Sequence, residues 1–159
     1  MRFLNPPPLT ASRSEREAYV KQWAALTISV FALLLAVNGM WGGSNSSKVL
    51  NGTIAANNYW AWYQAKNVRA TIFEVNGLEE KASKQRADME EISLKARESE
   101  AMRDEAKARS KFFTWAGLAL QLAIVLSSAA ILAVMMPLLF ASVGVGAVGA
   151  VFLTYAMVI

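Results

Sequence analysis

The sequence predicts an all-α membrane protein with three transmembrane helices and a long, coiled-coil-like antiparallel helical hairpin between the first and the second. Three observations carry this. Residues 112–159 contain no Asp, Glu, Lys or Arg, a stretch more than twice the roughly 20 apolar residues that cross a bilayer as a helix. A second apolar run, 24–37, lies nearer the N-terminus. Between them, residues 42–111 hold twelve of the 16 basic and ten of the 12 acidic side chains, the mixed-charge pattern of a solvated helix rather than of a globular core.

The composition also excludes chemistry. With no cysteine and no histidine, the chain can form no disulfide, Cys–His nucleophile, Ser-His-Asp triad, histidine-ligated haem or Cys/His zinc site. No cofactor and no metal site is expected. Glu74, Glu79, Glu80, Asp88, Glu90 and Glu91 are numerous, but acid–base catalysis needs a sheltered site with shifted pKa values. A charged helix face in water gives no shelter, so these carboxylates are expected to pair with Lys81, Lys84, Arg86 and Lys95, and no enzyme activity is expected.

Residues 1–21 read as an N-terminal tail, with a proline run at 6–8 and a capping box from Ser14 to Glu17. Residues 22–41 are the first span, bounded by Trp23 and Trp41, whose rings favour the headgroup level. A cleaved signal peptide has a shorter basic region and a small-residue cleavage site after its core. This segment therefore reads as an uncleaved anchor.

Residues 42–111 form the arm. Gly42 to Ser47 is glycine- and serine-rich and reads as a flexible exit from the span. Asn76-Gly77 is a turn, because both residues accept positive φ. Two helices of similar length flank it, each on the order of 45–50 Å at 1.5 Å per residue. On the returning helix Leu78, Ala82, Gln85, Met89, Ile92, Ala96 and Ser99 alternate four and three apart, a coiled-coil seam. On the outgoing helix Leu50, Ile54, Asn57, Ala61, Val68, Ile72 and Val75 share a narrow arc, and the two seams are expected to pack on each other. Tyr59, Trp60, Trp62, Tyr63 and Phe73 then face away from the partner helix with Lys66 among them, placed for a cation–π contact. An aromatic surface left in water marks an interface. An oligomer or partner contact is the first expectation; intrachain packing and lipid headgroups are the alternatives. Nucleic acid is not expected as a ligand, nor is a small-molecule substrate.

Residues 112–135 and 138–159 are the second and third spans, divided at Pro137, which interrupts a helix. Trp115 is a third interfacial anchor. A tight apolar hairpin is the first reading of the division, a single kinked and tilted helix the second. Gly144 to Gly149 matches G-x-G-x-x-G, but a dinucleotide site needs a preceding strand and a following acidic residue, and neither is present. Small residues at Ser142, Gly146, Gly149 and Ala150 instead form a face on which another helix can pack closely, from the same chain or a neighbouring copy. Asn38, Gln121, Ser127 and Ser128 are the candidates for lining a pore, and helix packing is the commoner use of such residues.

Arg13, Arg16 and Lys21 precede the first span, so the positive-inside rule places the N-terminus in the cytoplasm and the arm in the periplasm. Arg103, Lys107, Arg109 and Lys111, just before the second span, pull the other way. The arm exceeds the loop length over which the rule holds, and the first span usually dominates.

The segment from Asn58 to Arg69, NYWAWYQAKNVR, with Trp60, Tyr63, Gln64, Ala65, Lys66 and Arg69 as its best-matched residues, resembles a bacterial membrane family known as domain of unknown function 4337. The rest of the chain is similar to that family in layout: one span, a charged helical stretch, two closing spans. The resemblance implies a bacterial inner-membrane location and carries no reaction. The expected role is a non-catalytic membrane protein, either self-assembling as a scaffold or acting as an accessory subunit of a larger complex in contact with lipid. A homo-oligomeric channel whose arms form a collar is the alternative.

Overall fold

A computed structural model describes residues 12–159; the proline run at 6–8 lies outside them. The chain is all-α, with α1 at Arg13–Val75, α2 at Glu79–Ala133 and α3 at Met136–Val158, consecutive helices packing antiparallel. Each contains a segment long and apolar enough to cross a membrane. The chain divides into two compact units, one of residues up to Gly43 with Arg109–Ile159, the other Ser44–Ala108.

Helix α1 begins with a capping box, two residues before the expected one. The Ser12 hydroxyl accepts from the Glu15 amide at 3.3 Å, and the Ser12 amide donates to the Glu15 carboxylate at 2.9 Å. Glu17 is occupied otherwise, bonding Lys21 one turn on.

The flexible exit is overturned: 42–47 is helical. Glycine costs about 1 kcal/mol against alanine in a helix interior, yet propensity yields to packing. Gly42 is half-buried, with the Phe113 side chain 3.5 Å from where its Cβ would stand, and the buried Asn45 donates to the Ala106 carbonyl at 2.8 Å.

Both chain reversals are Schellman motifs, in which the residue past the helix end adopts left-handed backbone and the next amide bonds back five residues. At the first, Gly77 has φ +70 and Leu78 N–H reaches the Phe73 carbonyl at 2.8 Å, as the Asn-Gly signal predicts. At the second, Val134 takes the same role with φ +53, and Met135 N–H reaches the Ala130 carbonyl at 3.2 Å. The second and third apolar segments are thus a hairpin and not one kinked helix. Pro137 does not divide them: it sits in the first turn of α3, where its missing N–H is not needed, and the break lies at 134–135.

In the first unit, three seams converge. Val20, Ala24, Phe31 and Asn38 of α1 are buried, as are Phe113, Ala116, Leu120, Ala123, Ser127 and Ala130 of α2, and Leu139, Ser142, Gly146, Gly149, Leu153 and Ala156 of α3. The α2 and α3 sets alternate three and four, the spacing of knobs-into-holes packing. A Cβ at Gly146 would clash with the far edge of the Phe31 ring, and one at Gly149 would lie 3.0 Å from Leu120, so glycine admits the large side chains of the neighbouring helices. Ser142 donates to the Ala123 carbonyl at 2.7 Å, which uses its only proton. Ser127 is therefore the donor in the 2.6 Å Ser127–Ser142 bond. Trp23 packs beside Ala24, Ala130 and Leu139, while Trp41 and Trp115 are exposed. From Trp23 to Trp41 the helix rises about 27 Å, close to the roughly 30 Å of a hydrocarbon core.

Candidate functional site

In the second unit α1 and α2 pack antiparallel, and the α2 seam is the expected one: Ala82, Met89, Ile92 and Ala96 are buried and Gln85 and Ser99 partly so, with Leu78 outside it and exposed. The α1 face is the reverse of the expectation. Asn45, Val49, Gly52, Ala56, Tyr59, Tyr63, Lys66, Ala70 and Phe73 alternate four and three, and all are buried or half-buried. Small residues opposite large ones explain the choice. A Cβ at Gly52 would lie 2.9 Å from the Arg103 Cβ, so the helices touch backbone to side chain there, while Tyr59, Tyr63 and Phe73 are half-buried on the same face of α1.

The aromatic residues thus serve the contact between α1 and α2. Trp60 is half-buried, donates its indole N–H to Glu100 at 3.0 Å and meets the Tyr63 ring edge-on at 5.6 Å. Only Trp62 of the five stays outside, 50% exposed. Lys66 makes no cation–π contact with its aromatic neighbours. Its ammonium reaches Asp88 at 2.6 Å with its side chain 14% exposed, and this hydrogen bond holds the Asp88 carboxyl below its ordinary value. The cation over an arm ring is Lys81, 6.0 Å from the centre of Phe73. Of the other carboxylates, Glu74 bonds Arg86 across the turn and Glu91 bonds Lys95 within α2, both at 2.6 Å. Pairs this exposed contribute little stability. Among the described residues no three Asp or Glu side chains cluster as metal ligands.

What α1 leaves uncovered is the aliphatic set. Leu50, Ile54, Val68, Ile72 and Val75 are between 50% and 82% exposed, and Asn57 and Ala61 complete the row. The row is itself spaced four and three, on the side of α1 opposite the buried seam. Residues 49–65 carry no charge.

Residues 20–77 and 73–159 match the model of the family described as domain of unknown function (DUF4337). The chain belongs to this family. The two matched DUF4337 segments overlap at the arm turn. No curated protein and no solved structure matches.

The pore candidates do not share a surface. Ser127 and Asn38 are buried within the first unit, with the Asn38 amide beneath Gly117, whereas Gln121 and Ser128 are exposed on the outer side of α2. Of the small residues of α3, Ser142, Gly146 and Gly149 contact α1 or α2 of the same chain, and Ala150 is half-buried.

Proposed function

We propose that the chain is a non-catalytic integral protein of the bacterial inner membrane that self-assembles as a scaffold or joins a larger complex as an accessory subunit. The N-terminus lies in the cytoplasm and the arm in the periplasm. The observation that carries this is the aliphatic row of Leu50, Ile54, Val68, Ile72 and Val75, exposed along an extramembrane helix whose opposite face is already paired. A side chain of this kind contributes roughly 1.5–3 kcal/mol when fully covered. Covering the exposed half of five of them yields on the order of 5 kcal/mol. The 4-3 spacing suits a further helix, and the absence of charge over 49–65 lets the part of the row from Leu50 to Ala61 approach an identical surface without repulsion.

The test replaces Leu50, Ile54, Val68 and Ile72 together by glutamine, a good helix former. The mass of the particle extracted in mild detergent should fall while membrane insertion persists. A particle of unchanged mass refutes the role of the row.

A further inference from the structure

The outer face of α2 raises a separate question. Thr114, Leu118, Gln121, Val125, Ser128 and Leu132 alternate four and three, and all are exposed, Leu118 at 52%, Val125 at 62% and Leu132 at 88%. In a bilayer this face meets lipid or another helix. Two of its three polar side chains are satisfied by their own helix: Thr114 donates to the Ser110 carbonyl at 3.0 Å and Ser128 to the Ile124 carbonyl at 3.0 Å. Gln121 has no hydrogen-bond partner among the described residues. Its depth makes this costly. The last charge before it is Lys111, and the ten helical steps from one to the other rise about 15 Å, half of a hydrocarbon core of roughly 30 Å. A primary amide at the midplane, with two donors and a carbonyl, finds no water there.

We propose that Gln121 pairs with the same residue of a second copy, so that α2 forms an intramembrane two-fold contact centred on an amide–amide hydrogen bond. An amide is donor and acceptor at once, so two identical ones related by a two-fold axis satisfy each other. Leu118 and Val125, one turn to either side, then pack against their own counterparts. No charge anywhere in 112–159 opposes the approach. The inference rests on the reading of α2 as a span in an assembling protein, but uses a surface separate from the arm.

The chain has no cysteine, so single cysteines report contacts without background. Leu118→Cys, Val125→Cys and, on a different side of the helix, Leu122→Cys are each oxidised in the full-length protein in native membranes. A disulfide needs Cα atoms within about 7 Å. Dimers are expected from the first two and not from the third. Adding Gln121→Leu should lower the Leu118→Cys dimer by roughly 3- to 30-fold, the range interhelical hydrogen bonds span in bilayers, and Gln121→Asn should restore part of it. Equal linking at all three positions, or linking indifferent to Gln121→Leu, overturns the proposal. A cross-link to a chain of different mass overturns it in favour of a foreign helix. A multimeric particle whose cysteines at 118 and 125 stay unlinked overturns this contact alone and leaves the arm-based assembly standing. Linked dimers from a protein whose particle mass ignores the arm substitutions do the converse.

Discussion

Gly146 and Phe31 form the tightest notch in the three-helix unit, and altering both gives a test of it. The far edge of the Phe31 ring occupies the volume a Cβ at Gly146 would need. The ring is only 7% exposed and is held by Leu120 and Ala123, so it cannot swing aside without losing those contacts. Gly146→Ala therefore overpacks the site, which costs about 1–3 kcal/mol. Phe31→Ala alone empties the notch and costs about 3 kcal/mol. In the double variant the new methyl enters space the ring has left, and the Gly146→Ala penalty disappears. The cycle should return a coupling of about 1–3 kcal/mol, well above the 0.3–0.5 kcal/mol within which independent sites add. Reversible unfolding in mixed micelles by denaturing detergent, followed by tryptophan fluorescence, measures all four proteins. Additivity within about 0.5 kcal/mol would show that the ring does not occupy the notch.

The two hairpin turns give a paired prediction. Val134 holds a left-handed conformation that costs a β-branched residue about 1–2 kcal/mol, so Val134→Gly should stabilise the protein by about 0.5–1 kcal/mol after the added chain entropy of glycine, whereas Gly77→Val should destabilise it by a similar amount in the same titration. The Lys66–Asp88 bond predicts a pH dependence. Because folding lowers the Asp88 pKa below 3.8, its contribution is present above that value and is lost as pH falls through the lower folded value. Thermal melts followed by circular dichroism should show Asp88→Asn less stable than wild type at neutral pH, with the difference closing only below pH 3.8.

Much of this architecture was legible in the sequence, for physical reasons that particular residues make plain. Asn76-Gly77 is read correctly because few residues tolerate the φ of +70 found at Gly77. The α2 seam is read correctly because its apolar residues sit among charges, which leaves one face available. On α1 the rule that apolar side chains go inside fails, because residues 49–65 are uncharged and offer two 4-3 rows. Only the small residues Gly52, Ala56 and Ala70, set in register with Tyr59, Tyr63 and Phe73, mark the row that fits a neighbouring helix closely. The helical 42–47 segment was hidden because glycine and serine report local preference, whereas the contacts of Gly42 and Asn45 are made by residues far along the chain. The same holds at Val134, where no sequence signal announces a left-handed residue. Gln121 was visible as polar in the sequence, but its outward direction was not.

The Lys66–Asp88 pair has a further consequence for how the arm helices find their alignment. A seam spaced four and three repeats its pattern every seven residues, so a displacement by a heptad again sets seam against seam. A slide of seven residues in one direction would bring Lys66 opposite Lys81, and in the other opposite Lys95. Both displaced arrangements set two ammonium groups face to face in place of an ion pair. The Lys66–Asp88 contact therefore penalises both neighbouring alignments, and it reinforces the one already set by the turn at Gly77 and the close approach at Gly52.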